Sequence, residues 1–254
     1  VIWWKFFKNY YKKIKEIKNL NIQVHNYFPP PKKPFVLNLC SKNKDIRRQS
    51  INLIKKNIKL TRKLNQKYYS FHSGFLVDLK YSDLGKSKNK LKIHNKSVGT
   101  KIFLDNIKIL SRYAKKNNVE LLLENNVIGR ANFKLYKKNP FLMSSVNEIY
   151  KIMKKTPSNV NLLLDVGHLK VSSKVLGFNK LDIFKKCKKW IKAFHISDNN
   201  GFEDTNSSIK LNSWFARYLF NVEYYTLEVY TKNLSTIKKQ IKILDKIIKQ
   251  NAKS

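Results

Sequence analysis

Glu120-Leu-Leu-Leu-Glu124 and Asn161-Leu-Leu-Leu-Asp165 are continuous apolar runs that each end in an acid. A strand covered on both faces, as in a parallel sheet, reads as an unbroken apolar run rather than an alternating one. Its last residue is the first to leave the core, so Glu124 and Asp165 are expected at the rim of such a sheet. Working outward from this pair, short strand-forming segments recur at 22–27, 68–72, 119–124, 160–165, 191–196 and 224–229. Segments of helical period lie between them. Phe103, Ile107, Leu110 and Ala114 form one stripe, and Ile51, Ile54 and Ile58 a second. Leu234, Ile237, Ile241, Leu244 and Ile248 form a third in the last helix. Each stripe gives its helix one face to bury on a sheet. The alternation of strand and helix predicts repeated βα units, hence an α/β chain built on a parallel sheet.

The chain has 254 residues, 42 % of them hydrophobic, which is enough for one sizeable core. No repeat or low-complexity linker divides it, so residues 1–254 are expected to form a single domain of (β/α)8 barrel type. The first clear strand opens only at Ile22, which predicts a barrel lacking its first strand at the amino end. No run of about 18 apolar residues occurs, and lysines break the opening Val1-Ile-Trp-Trp-Lys-Phe-Phe-Lys too early for a signal-peptide core. A soluble, cytoplasmic protein with no membrane partner is expected. Cys40 and Cys187 lack metal or redox spacing and read as packing residues. The formal charge of +37 would attract polyanions whatever the fold. Lysine outnumbers arginine 47 to 6, however, and there are 29 asparagines, a skew spread along the whole chain. Arginine carries the planar fork that suits phosphate and guanine. A solvated lysine surface is therefore favoured over a nucleic-acid face.

Of the five histidines, His25, His72 and His195 fall at or near strand ends, and His168 follows Asp165 by three residues; His94 lies in a polar loop. Parallel strands deliver their terminal side chains to one mouth, so Glu124, Asp165, His168, His195 and Glu228 are expected to converge there. Carboxylates and imidazoles together make a mixed oxygen and nitrogen set that suits a divalent metal ion such as Mn²⁺, Mg²⁺, Co²⁺ or Zn²⁺. Without such an ion, acids in one cleft repel and raise one another's pKa. Each residue also has a plain structural account. Glu124 can be a solvated strand end, Asp165 a helix cap, and His195 in His195-Ile-Ser-Asp198 a buried hydrogen-bonded ring. Glu228 resists that account, because a lone inward acid within Tyr-Thr-Leu-Glu-Val-Tyr is costly without a partner. Two irregular stretches, 27–34 with Pro29-Pro30-Pro31 and the polar 78–100, follow strands and are expected to act as lids.

The order Glu124, Asp165-Val-Gly-His168, Phe194-His195-Ile-Ser-Asp198-Asn-Asn-Gly201 and Leu227-Glu228-Val229 resembles the xylose-isomerase-like TIM-barrel superfamily of sugar phosphate isomerases and epimerases, from about Ile22 to Glu228. The resemblance implies a divalent metal held by Glu124, Asp165, His195 and Glu228. It implies that Glu124 and Glu228 move a proton on and off a sugar or sugar phosphate through an enediolate, with His168 touching the substrate; His72, His25 and Asp198 are further candidates to face it, His25 and His72 being equally open to a structural or supporting role. The apurinic endonucleases of the same superfamily are the rival, since His25, His72, Glu124, Asp165, His168, His195 and Glu228 match most of their three-zinc set. The departure is Asp204-Thr-Asn206, where that branch carries Asp-x-His and this chain has a poor zinc ligand. A metal-free sugar-binding or scaffolding barrel is the third alternative.

Overall fold

The computed structural model describes residues 22–31, 33–83 and 90–253. Six strands form one sheet in chain order: β1 (Val24–His25), β2 (Tyr68–His72), β3 (Glu120–Glu124), β4 (Val160–Asp165), β5 (Ile191–Ile196) and β6 (Tyr224–Leu227). The pairs β1–β2, β4–β5 and β5–β6 run parallel. Helices α1 (Lys44–Lys63), α2 (Lys96–Lys116), α3 (Arg130–Tyr136), α4 (Val146–Met153), α5 (Val166–Leu176), α6 (Asp182–Cys187) and α7 (Leu234–Asn251) lie between or after the strands. The chain is therefore an α/β protein of repeated βα units. Among the described residues no helix is long and apolar enough to cross a membrane.

Contacts divide the chain into two compact units, one up to Leu122 with Thr156–Val160, the other Leu123–Lys155 with Asn161 onward. In the first, α1 buries Leu53, Ile54 and Ile58, and α2 buries Phe103, Ile107, Leu110 and Ala114. These are the stripes the spacing predicts, except that Ile51 is only half-buried. Asparagine starts both helices. The Asn43 side chain accepts from the amides of Asp45 and Ile46, and Asn95 accepts from that of Val98. Such caps satisfy amides that have no partner within the helix.

In the second unit, Leu123, Leu162, Leu163, Leu164, Ala193 and Phe194 are fully buried in the strands. The last helix departs from expectation. It buries Gln240, Leu244 and Ile247, while Leu234 and Ile241 stand 64 % and 47 % exposed. Gln240 faces inward because its side-chain oxygen accepts from the amide of Ile209. That bond turns the helix away from the Leu234–Ile241 stripe.

Strand boundaries also shift. β1 stops at His25 rather than at residue 27 because Asn26 takes a left-handed backbone (φ 48) and its carbonyl accepts from the Tyr69 hydroxyl. Between Asp198 and Tyr224 there is an antiparallel bridge, Asp198 to Ser207, and a single 3-10 turn at Ala216–Tyr218. The polar stretch after β2 ends at Lys96, where α2 begins, and its residues 84–89 lie outside the described residues. The expected loss of a strand at the amino end likewise falls on residues 1–21, outside the described residues.

Candidate metal centre

Glu124 is the last residue of β3, Asp165 the last of β4, and His195 the last but one of β5. In the sheet register Asp165 lies beside His195. Glu228 is the first residue past β6, its amide still bonded to the Ile196 carbonyl. The strand-end logic of the sequence thus brings these four side chains together. Asp165 is also the N-cap of α5, as the structural account of it requires. Its Oδ1 accepts from the His168 amide at 2.7 Å. One carboxylate serves both purposes, because capping uses one oxygen and leaves the other, Oδ2, free to face the cluster.

The donor atoms crowd around His195. Its Nδ1 lies 3.0 Å from Glu124 Oε1, 3.1 Å from Glu228 Oε1 and 4.0 Å from Asp165 Oδ2. Ligand atoms of Glu124, Asp165 and His195 all lie within 4.8 Å of one another, and the three residues are buried. Metal bonds of about 2.0–2.2 Å place adjacent ligand atoms roughly 3.0–3.6 Å apart and opposite ones up to about 4.4 Å apart, so the separations of 3.0, 3.1 and 4.0 Å fit a shared divalent ion. Asp165 Oδ2 supplies the direct test of fit: it is buried and has no hydrogen-bond partner among the described residues. A buried carboxylate oxygen without a donor is the position a cation would satisfy.

The electrostatics point the same way. Burial pushes the Asp165 carboxyl up to about 7; His168 opposes the rise, and Glu228, Glu124 and Asp204 add to it. Burial works against a charged His195 ring, but Glu124 and Glu228 outweigh it and carry the imidazole to about 10. His168 is opposed by burial too, yet Asp165 and Asp204 hold it well above its ordinary value. Asp165, His168 and His195 all retain protons, Asp165 chiefly through burial and the two imidazoles because the surrounding carboxylates are short of positive charge.

His168 packs beside this centre. Its Nδ1–H donates to the Asn125 carbonyl at 2.8 Å, and its Nε2 faces Asp204 Oδ2 at 3.2 Å and Asp165 Oδ2 at 3.6 Å. Asp198 has a different setting. Lys170 donates to its Oδ1 at 2.5 Å and Ser213 to its Oδ2 at 2.7 Å, so the carboxylate ties α5 to the loop after β5. His25 and His72, in the first unit, meet edge to face with ring centres 5.6 Å apart, and His25 Nδ1 lies 3.0 Å from Ser70 Oγ.

Sequence reasoning passed over Asn125. Its side chain accepts from the Asp165 amide at 2.8 Å and donates to the Asp165 carbonyl at 3.1 Å, gripping the backbone that carries the acid. The one available signal was its place directly after the strand-ending Glu124. Tyr230 was also missed: its phenol sits by the Asn206 side chain, within electrostatic reach of Glu228, Asp204 and His168.

Comparison with known proteins places this geometry in context. The family described as xylose isomerase-like TIM barrel matches residues 7–221. No curated protein matches the chain. Among solved structures, a D-tagatose 3-epimerase-like protein is similar with a TM-score of 0.71 and 19 % identity, covering 96 % of this chain and 83 % of that one. A Thermus thermophilus protein soaked with ZnCl2 gives a TM-score of 0.60 at 15 % identity, covering 93 % and 82 % of the respective chains. D-psicose 3-epimerase with D-tagatose, from Clostridium cellulolyticum, gives 0.53 at 14 % identity, covering 85 % and 73 %.

Proposed function

The chain belongs to the xylose isomerase-like TIM barrel family, and from that premise we propose that it is a divalent-metal-dependent isomerase or epimerase of a sugar or sugar phosphate. The observation that carries the proposal is the meeting of Glu124, Asp165, His195 and Glu228, with Asp165 Oδ2 buried and lacking a hydrogen-bond donor. These four residues would hold the ion. When bound, a divalent ion supplies Lewis acidity to a carbonyl and its neighbouring hydroxyl, which acidifies the carbon-bound proton between them.

The two glutamates are suited to move that proton. Glu124 is 1 % exposed, and the Glu228 side chain is 25 % exposed. The acids therefore differ in environment, one enclosed and one open to arriving molecules, as paired acid–base groups require. His195 lies between them, with its Nδ1 within 3.1 Å of a carboxylate oxygen of each. Asn125 and the α5 cap hold the Asp165 backbone and carboxylate in place. Return of the proton to the opposite face gives epimerisation, and return to the adjacent carbon gives aldose–ketose isomerisation.

The test is deuterium incorporation in heavy water with a panel of ketoses, aldoses and their phosphates. Incorporation beside the carbonyl is expected in the presence of Mn²⁺ or Co²⁺, with loss of about a hundredfold or more in Glu228→Gln. Metal-independent incorporation, or full incorporation by Glu228→Gln, sinks the assignment.

A further inference from the structure

Glu228 is the first residue past β6, at the end of the ladder that pairs β6 with β5. Two backbone bonds bracket it. Its own amide donates to the Ile196 carbonyl at 2.9 Å, and the Tyr230 amide donates to the Asn206 carbonyl at 2.8 Å. The first bond continues the ladder, whereas the second crosses to the loop after β5. Packing grips this acid less than its counterpart, since the Glu228 side chain is 25 % exposed and that of Glu124 1 %. The backbone on either side of Glu228 therefore has more of the positioning to do.

Asn206 is buried and holds a left-handed backbone at φ 46, which glycine and asparagine adopt at least cost. In that conformation its carbonyl takes the Tyr230 amide while its side-chain oxygen accepts from Ser197 Oγ at 3.1 Å, and the Tyr230 phenol lies at the same side chain. Ser197 is fully buried and directly follows Ile196. Its hydroxyl sits against the first turn of α5, 2.6 Å from where a Cβ on Gly167 would lie, so it has little room to turn. Beyond Asn206 the loop is fastened again, because Asp198 and Ser207 exchange backbone bonds of 3.0 and 2.7 Å. The bonds close a ring that runs from Ile196 to Ser197, Asn206, Tyr230, Glu228 and back to Ile196. His195 is the next residue along β5, and its Nδ1 lies 3.1 Å from Glu228 Oε1. Supports of this kind hold reactive groups within the fraction of an ångström that ligation and proton transfer require.

We propose that Asn206 is a positioning residue: through this ring it fixes the Glu228 carboxylate against His195, and so sets both the affinity of the centre for a divalent ion and the rate at which Glu228 transfers a proton. The proposal rests on the isomerase or epimerase assignment above and identifies what holds the more open of its two acids.

The experiment compares the full chain with Asn206→Gly, Ser197→Ala and the double variant. Glycine keeps the left-handed backbone and deletes the side chain, and Ser197→Ala deletes the other end of the same bond. Mn²⁺ alone is titrated calorimetrically, amide exchange at Glu228 and Tyr230 is followed by NMR in metal-free protein, and deuterium incorporation is measured with the sugar panel. Each single variant should weaken Mn²⁺ by about tenfold and lower kcat by about tenfold, with KM changed by less than about twofold. The double variant should fall within about twofold of the weaker single one, because both changes cut one bond. Exchange at Tyr230 should quicken by about tenfold while Glu228, held by Ile196, keeps its rate. Unaltered Mn²⁺ affinity in both single variants, effects that multiply in the double variant, or equal acceleration at the two amides would each overturn the proposal, the last by showing general loosening of the fold. Should Asn206→Gly not fold, Ser197→Ala carries the same expectations. Weaker Mn²⁺ binding in the variants with no incorporation by the wild type removes the isomerase assignment and leaves Asn206 its role. Incorporation by the wild type with every variant unchanged does the reverse.

Discussion

Asp165 and His195 each keep a proton they would release in water, Asp165 chiefly because it is buried and His195 because Glu124 and Glu228 outweigh its burial. The consequence for pH follows from linkage. His195 is raised to about 10 from 6.5, so its stabilising contribution is complete below 6.5 and fades as pH climbs through about 10. Asp165 is raised to about 7 from 3.8; the folded state holds that proton more tightly, and this contribution is lost between 3.8 and about 7. Metal-free protein should therefore lose stability as pH rises, whereas a divalent ion competes with these protons and binds better at high pH. The rise in Tm on adding MnCl2 over EDTA should be larger at about pH 8 than at about pH 6. An equal or larger shift at the lower pH would show that the ion does not displace these protons. At this scale the strand-ending acids and His195 were legible because strand direction alone sends them to one rim. Asn125 and Tyr230 were not: Asn125 acts through backbone contacts with a different strand, and Tyr230 sits past the last strand in a stretch that no period marks.

Elements were readable where one face is buried by one rule. The runs ending at Glu124 and Asp165, and the α2 stripe from Phe103 to Ala114, appear as predicted because apolar burial dominates their energy. α7 was misread because its apolar positions form overlapping stripes, and the Gln240 bond to Ile209 selects the one containing Leu244 and Ile247. The junction of β4 and α5 carries the sharpest steric demand. A Cβ on Gly167 would lie 2.6 Å from Ser197 Oγ and 3.2 Å from Asp165 Oδ1. Gly167→Ala gains about 1 kcal/mol of helix propensity, but overpacking costs about 1–3 kcal/mol, so net loss of about 1 kcal/mol is expected. Ser197 would have to rotate off Asn206, and metal affinity should fall with stability. Denaturant unfolding with and without Mn²⁺ measures both; a variant stabilised relative to wild type would show that the gap is wider than it looks.

Across the whole molecule, the formal charge of +37 contrasts with a centre short of positive charge. The lysine coat should bind duplex DNA without sequence preference, and that affinity should fall steeply with salt. Duplex bearing an abasic site should be bound yet left uncut in Zn²⁺ or Mn²⁺, as a gel assay across salt concentrations would show. Cleavage would move the chain to the endonuclease branch. Glu124, Asp165, His168, His195, Asp204 and Glu228 all belong to the second compact unit, although β3 and β4 begin in the first. The reactive set is thus a single genetic parcel: a crossover just upstream of Leu123 would exchange most of the other unit while passing on every one of these six side chains together.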